Sequence, residues 1–332
     1  MREGWTRGTP ILEVEAETAE RLIGPVFPGT RVTGIEPVSG GLANTNLRVT
    51  ISGRDSLLLL RLYQRAPAEA QKEWALHRRL DGRVPIPKIL HAAESNPATD
   101  RPYAVVEWIE GRHLGRVAPD LPADVREGLA RDIGRVLAAI HATTFPTSGF
   151  LDADLNIAQP IDAGAGGLAG FLRHCLADGR GGERLGAALT RAALAFAERE
   201  GHRLEAWTRP PRLTHADFNG SNVLVHQTPT GWRVAAVLDW EFAFAGAPFF
   251  DFGNLLRAPL GDLDGFAEAV AMGYREAGAA MPADWRELAR IADLTAWADF
   301  LNRADATQQV IADARRMIER TVTARNAKGL VP

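Results

Sequence analysis

In Leu213-Thr214-His215-Ala216-Asp217-Phe218-Asn219-Gly220-Ser221-Asn222, four residues separate a carboxylate at Asp217 from an amide at Asn222. A second carboxylate, Asp239, follows the apolar pair Val237-Leu238. These residue types in this order suit phosphoryl transfer, in which a hydroxyl is oriented and relieved of its proton as phosphorus is attacked. A carboxylate at Asp217 can do both. The charge of a triphosphate also calls for Mg2+, a hard cation that takes oxygen ligands, and Asn222 and Asp239 supply two of them. Singly, each residue has a plainer reading: Asp217 as a turn cap, Asn222 as a bridge between loops, His215 as a satisfied core histidine. Together and in this order they favour chemistry, with His215 bracing the backbone of the metal site.

The elements that must position this set are legible in outline. Asn222 to His226 and Trp232 to Leu238 are β-like pieces joined by a Pro/Gly turn, a hairpin that would bring Asn222 and Asp239 together. Upstream, Arg31 to Val38, Asn46 to Ile51 and Ser56 to Tyr63 read as an antiparallel meander with turns at Ser39-Gly40-Gly41 and Gly53-Arg54-Asp55. A helix is predicted over Ala68 to Leu80. Pro85 and Pro87 flank an edge-type strand running to His91, and Glu110-Gly111 ends another strand, Tyr103 to Trp108.

Beyond Leu121 the period changes. Leu129, Ile133, Leu137 and Ile140 share one face, predicting a helix from Asp124 to Ala142. Thr143 to Gly170, rich in Gly, Pro and Asp, reads as a long loop or insertion. Further helices are predicted near Leu168 to Ala177, Glu183 to Glu200, Phe266 to Ala277 and Trp285 to Leu301. The expected fold class is α+β and bilobal: a small antiparallel β lobe with one helix over 1–107, a hinge at 108–111, and a larger, mostly helical lobe over 112–332.

Composition removes other classes. At roughly 150 residues per domain, 332 residues suit two lobes. A net charge of −3 with scattered charges lacks the basic stripe of a nucleic-acid binder. No apolar run approaches the roughly 18 residues a membrane helix needs. Met1 to Glu20 lacks the apolar region of a signal peptide, and the single cysteine, Cys175, can form no intramolecular disulfide. The expectation is a cytoplasmic monomer or homodimer.

His215 to Asn222, Leu238-Asp239-Trp240-Glu241 and Gly246-Ala247-Pro248-Phe249-Phe250-Asp251 resemble the aminoglycoside phosphotransferase and choline kinase family, small-molecule relatives of protein kinases. Ser39 to Asn44, Glu73 to Leu76, Val84 to Pro87, Glu107 to Gly111 and Leu137 to His141 extend the resemblance over about residues 30 to 305. It implies a protein-kinase-like fold, ATP or GTP with Mg2+ as cofactors, and a hydroxyl-bearing small molecule as acceptor. It also places Ser39, Gly40, Gly41 and Asn44 over the phosphates, where glycine lets backbone N–H groups approach closely. Glu107 and Ile109 fall at the adenine edge, and Asp251 holds the catalytic loop.

One departure stands out. The family carries a lysine on its third strand, gripping the α- and β-phosphates, where this chain has Arg61 with Glu73 as partner. Guanidinium keeps the charge but is longer and planar; neighbouring Lys72 should point elsewhere. The resemblance puts the acceptor between the insertion and the C-terminal helices. There Asp293, Trp297, Asp299 and Phe300 share a predicted helix that would attract a cationic acceptor, although core packing of Trp297 is the plainer reading. Three readings stay open: an aminoglycoside-phosphotransferase-like enzyme, a metabolic kinase for homoserine, choline or a related metabolite, and a nucleotide-binding pseudokinase scaffold.

Overall fold

A computed structural model of the protein describes residues 10–38, 44–53, 57–64, 67–96, 99–161 and 167–323. Helix α1 (Ala16–Ile23) leads into strands β1 (Val32–Pro37), β2 (Thr45–Ile51) and β3 (Leu58–Leu62). Helix α2 (Pro67–Leu80) follows, then β4 (Ile89–Ala93) and β5 (Tyr103–Glu107). The strands form one antiparallel sheet in the order β1-β2-β3-β5-β4. Alternation decides what each face carries. Leu47, Val49 and Ile51 of β2 join Leu58, Leu60 and Leu62 of β3 in a core with Ala19, Leu22 and Ile23 of α1. Ala70 and Trp74 of α2 pack with Ala104 and Val106 on the other face. Arg61, between Leu60 and Leu62 in sequence, therefore leaves β3 toward α2.

The rest of the chain is mostly helical. It begins with β6 (Arg112–His113), α3 (Leu114–Val117) and α4 (Ala123–His141), then β7 (Gly149–Leu151) and β8 (Ile157–Pro160). Helices α5 (Gly167–Arg173), α6 (Gly181–Leu185), α7 (Ala187–Glu200) and α8 (His202–Glu205) precede β9 (Arg212–Thr214), β10 (Val223–Thr228), β11 (Gly231–Val237) and β12 (Phe244–Gly246). Helices α9 (Phe249–Leu255), α10 (Phe266–Glu276), α11 (Trp285–Asn302) and α12 (Gln308–Thr323) close the fold. The main core gathers around α4, α9, α10 and α11. Helices α4 and α10 touch backbone to backbone, because a Cβ on Gly134 would strike the Val270 carbonyl and one on Gly273 the Arg131 carbonyl. Two small sheets, β11-β10-β6 and β8-β7-β12-β9, frame the catalytic segment.

This is the α+β, protein-kinase-like arrangement, an antiparallel sheet lobe beside a helical lobe. Several elements depart from expectation. The edge strand begins at Ile89 rather than at the prolines; the Pro85 carbonyl instead accepts from Val237 N–H at 2.8 Å, tying the two lobes. The stretch from Thr143 to Gly170 is no plain loop: β7 pairs with β8 and with β12, and α5 starts inside it. The helix expected over Glu183 to Glu200 is broken at Gly186, whose φ of 89° belongs to a turn. Helices α1, α9 and α12 are additions to the expected set. Among the described residues no helix is long and apolar enough to cross a membrane.

Candidate active site

Strand β9 ends at Thr214 and delivers the catalytic segment onto a buried carboxylate, Asp251 at the start of α9. Asp251 is 0% exposed. Its Oδ2 accepts from the backbone N–H of His215 at 2.9 Å and lies 3.0 Å from His141 Nε2, and its Oδ1 accepts from Ala216 N–H at 2.7 Å. His141 Nδ1 meets the Tyr274 hydroxyl at 3.0 Å, so the imidazole bridges two helices to the carboxylate. Ala216 sits at φ 66°, a left-handed conformation costly for a residue with a side chain. Its N–H is held by Asp251 and its carbonyl accepts from Asn254 Nδ2 at 3.1 Å, so the strain is fixed from both sides.

That bend turns Asp217 into a fork of amides. Oδ2 accepts from Asn222 Nδ2 at 2.8 Å and Oδ1 from Asn219 Nδ2 at 2.7 Å. His215 is fully buried; its Nδ1 accepts from Asp217 N–H at 3.2 Å, so Nε2 carries the proton it donates to the Leu238 carbonyl at 2.9 Å. The β10–β11 hairpin pairs Val223 with Val237, and Leu238 N–H donates to the Asn222 carbonyl at 2.8 Å. Asp239 follows at φ 68°, again left-handed. Asp217, Asn222 and Asp239 are thus brought together.

Arg61 reaches Asp239 from the sheet lobe. Its Nη2 lies 2.9 Å from Asp239 Oδ1 and 3.2 Å from Glu73 Oε2, so one guanidinium nitrogen serves two carboxylates. Burial opposes its charge, but Glu73, Tyr63 and Asp239 outweigh that and raise its pKa further. Burial pushes the neighbouring His77 imidazole down to about 4, with Arg61 adding to the effect against a hydrogen bond to the Pro87 carbonyl. Lys72 does point elsewhere: its Nζ donates to the Glu241 carbonyl at 2.7 Å, pinning α2 to the turn after Asp239. Trp240 is fully buried there, its indole donating to the Val237 carbonyl at 3.2 Å.

Two clefts flank this centre. One, of about 930 Å3, lies between the sheet and the helical body and includes Arg61, Glu73, Glu107, Ile109, Asn222 and Asp239. Glu107 has its N–H engaged by the Lys88 carbonyl at 2.8 Å. Among the described residues, three buried polar atoms on side chains lining this cleft have no hydrogen-bond partner: Asn46 Oδ1, Arg61 Nε and His113 Nδ1. The second cleft, of about 860 Å3, includes Asp217 and Asp239 and continues among phenylalanines. Asp239 lines both.

Not every expected residue joins the site. Ser39, Gly40 and Gly41 lie outside the described residues. Asn44 is buried, its Oδ1 accepting from Gln64 N–H at 3.2 Å just past the end of β3. The cationic subsite expected at Asp293 and Trp297 is already filled. Arg257 holds Asp293 through Nη2 at 2.6 Å and Nε at 3.0 Å, and its guanidinium stands 4.6 Å from the centre of the Trp297 ring. The indole donates to Asp293 Oδ2 at 2.6 Å. Sequence reasoning passed over Asn219, Asn254 and the polar role of His141. Asn219 carried a signal, an amide between Asp217 and Asn222; the other two act across the fold and carried none.

An antiparallel sheet lobe, a helical lobe and an Asp–Asn–Asp centre at their junction define a kinase of small molecules. The chain belongs to the phosphotransferase enzyme family, APH, whose profile matches residues 34–291. No curated protein matches it. Among solved structures it is similar to the GDP and kanamycin complex of the aminoglycoside phosphotransferase APH(2″)-IIIa, at 18% identity and a TM-score of 0.70, over 93% of this chain and 99% of that one. It is likewise similar to a thermostable mutant of APH(4)-Ia in a ternary complex with AMP-PNP and hygromycin B, at 20% identity and a TM-score of 0.63, over 93% and 99%. At these identities the likeness is one of fold.

Proposed function

We propose that the protein transfers the γ-phosphate of ATP or GTP to a hydroxyl of a small molecule, with Asp217 as the base. The carrying observation is the position of Asp217, Asn222 and Asp239 where the two clefts meet. The cleft between the lobes holds the nucleotide, and its unpartnered Arg61 Nε, Asn46 Oδ1 and His113 Nδ1 suit a ligand rich in donors and acceptors. Glu107 and Ile109 face the purine edge through backbone groups. Arg61, oriented by Glu73, positions the phosphates. The acceptor enters by the second cleft.

The oxygen ligands fit Mg2+. The Asn222 amide nitrogen is committed to Asp217, which leaves its oxygen as the acceptor, and the Asp239 carboxylate is 27% exposed to the clefts. Among the described residues no group of three or more His, Cys, Asp or Glu could hold a metal. Mg2+ needs no such cage, since one or two carboxylates and the substrate's phosphates suffice. Bound there, the metal would neutralise phosphate charge. The protein's own part is to orient the acceptor hydroxyl at Asp217, receive its proton and keep Asn219 and Asn222 aimed at the carboxylate.

Asp217→Ala is expected to lower kcat by about 10^2- to 10^4-fold while Mg·ATP affinity, read by thermal shift, stays near the parent value. Asp239→Ala is expected to lose Mg2+-dependent nucleotide binding. Retained turnover in the first variant removes Asp217 from its role, and nucleotide binding without transfer in the parent protein would favour the pseudokinase reading.

A further inference from the structure

Resting on the proposed function, which makes the second cleft the acceptor site, we infer that the acceptor is an alcohol with a largely apolar body and at most one positive charge. The cleft is walled by phenylalanines. Phe150 and Phe244 stand 6.1 Å apart between ring centres, and Phe244 and Phe250 5.2 Å apart with an edge-to-face tilt of 79°. This file of rings runs from the mouth toward the catalytic segment. Phe244 pairs with Thr214, the residue before His215, and the Phe250 carbonyl accepts from Asn254, which also holds Ala216.

The mouth itself is apolar where a surface would ordinarily be polar. Five large hydrophobic side chains are exposed among the described residues, and three of them line this one cleft: Phe150 at 50%, Phe171 at 39% and Ile161 at 37%. Apolar side chains gathered in a concave wall mark a ligand site rather than scattered surface exposure. Burial of such rings would supply much of the affinity.

Charge argues the same way. A polycation needs several carboxylates free to meet it. Asp293 is already held by Arg257 and by the Trp297 indole, and Asp299 is bound by Arg303 at 2.7 Å. Asp217 and Asp239 belong to the transfer step. Glu205 and Asp305 remain along the lining, enough to tolerate a single amine.

Nile red, a neutral apolar fluorophore, tests the wall without any need for turnover. The full-length protein is expected to bind it with a fluorescence rise, and Phe150→Asp/Phe171→Asp to bind about tenfold more weakly. Both positions are exposed, and an unchanged melting temperature checks that the double variant folds. A neutral polycyclic diol is expected to displace the dye and kanamycin to leave it in place. Absent dye binding, equal binding by the double variant, or displacement by kanamycin in preference to the diol would each overturn the inference. Mg·ATP binding, measured alongside, separates the two layers. If it fails while the dye and diol behave as expected, the kinase reading falls and the apolar cleft stands.

Discussion

The catalytic segment and the junction between the lobes are both buried and polar, yet they are built in opposite ways. Around Asp251 the partners all come from the helical lobe: two backbone N–H groups, an imidazole, and behind it a hydroxyl. At Arg61 the partners are charged and belong to different lobes, and one nitrogen divides itself between Glu73 and Asp239. A buried carboxylate with both oxygens hydrogen-bonded within one lobe is held in a single geometry. A guanidinium divided between two carboxylates, its Nε without a partner among the described residues, keeps one donor in reserve. On the proposed function, the difference sets the base in a fixed frame and leaves the phosphate grip a donor to spare.

The strongest way to break this contrast is Asp251→Ala. Removing the carboxylate leaves buried donors unpaired and releases the strained Ala216 bend, so an expected stability loss of about 3–5 kcal/mol follows. Urea denaturation measures it, and a loss below about 1 kcal/mol would show that Asp251 is not the keystone of the segment.

Acid sharpens the contrast from the other side. His77 is neutral in the fold with its pKa lowered to about 4, whereas the unfolded chain protonates it near 6.5. The unfolded state therefore binds more protons between those values, and stability falls as pH drops from 6.5 toward 4. The full contribution amounts to roughly 3 kcal/mol. A His77→Gln variant is expected to show a flatter dependence across that window; an identical slope in both proteins would locate the acid sensitivity elsewhere.

The smallest effect belongs to Lys72→Met, which keeps the stem and removes the bond to the Glu241 carbonyl. Loss of one charge-assisted hydrogen bond, about 1.5 kcal/mol, is expected to raise the nucleotide KM several-fold with kcat nearly unchanged. An equal fall in kcat would mean that α2 positions the reacting atoms and not only the phosphates.

The parts of this design that could be read from the sequence are those whose members lie close in the chain. Asp217, Asn222 and Asp239 are joined by one hairpin, whereas the pairing of Arg61 with Glu73 came from the resemblance to the family and stands as a 3.2 Å contact. What escaped is set by long-range packing. Arg61 meets Asp239 across 178 positions and Arg257 meets Asp293 across 36, so a helix face that reads as an open acid–aromatic pair is closed by a cation from elsewhere. Strands β7 and β8, of three and four residues, are too short to show a period and exist through pairing with each other and with β12. Helix α12 escaped although it carried a signal: Val310, Ala314, Ile318 and Val322 recur every fourth residue and are buried together.

Asp239 lines both clefts, so on the proposed function nucleotide and acceptor border the same carboxylate. Whatever a bound nucleotide does to the free energy of that side chain enters the affinity for the acceptor. A closed thermodynamic cycle then makes the influence mutual, with the factor by which donor changes acceptor affinity equal to the factor by which acceptor changes donor affinity. On the proposed function, any coupling between the two substrates is expected to run through this one shared wall.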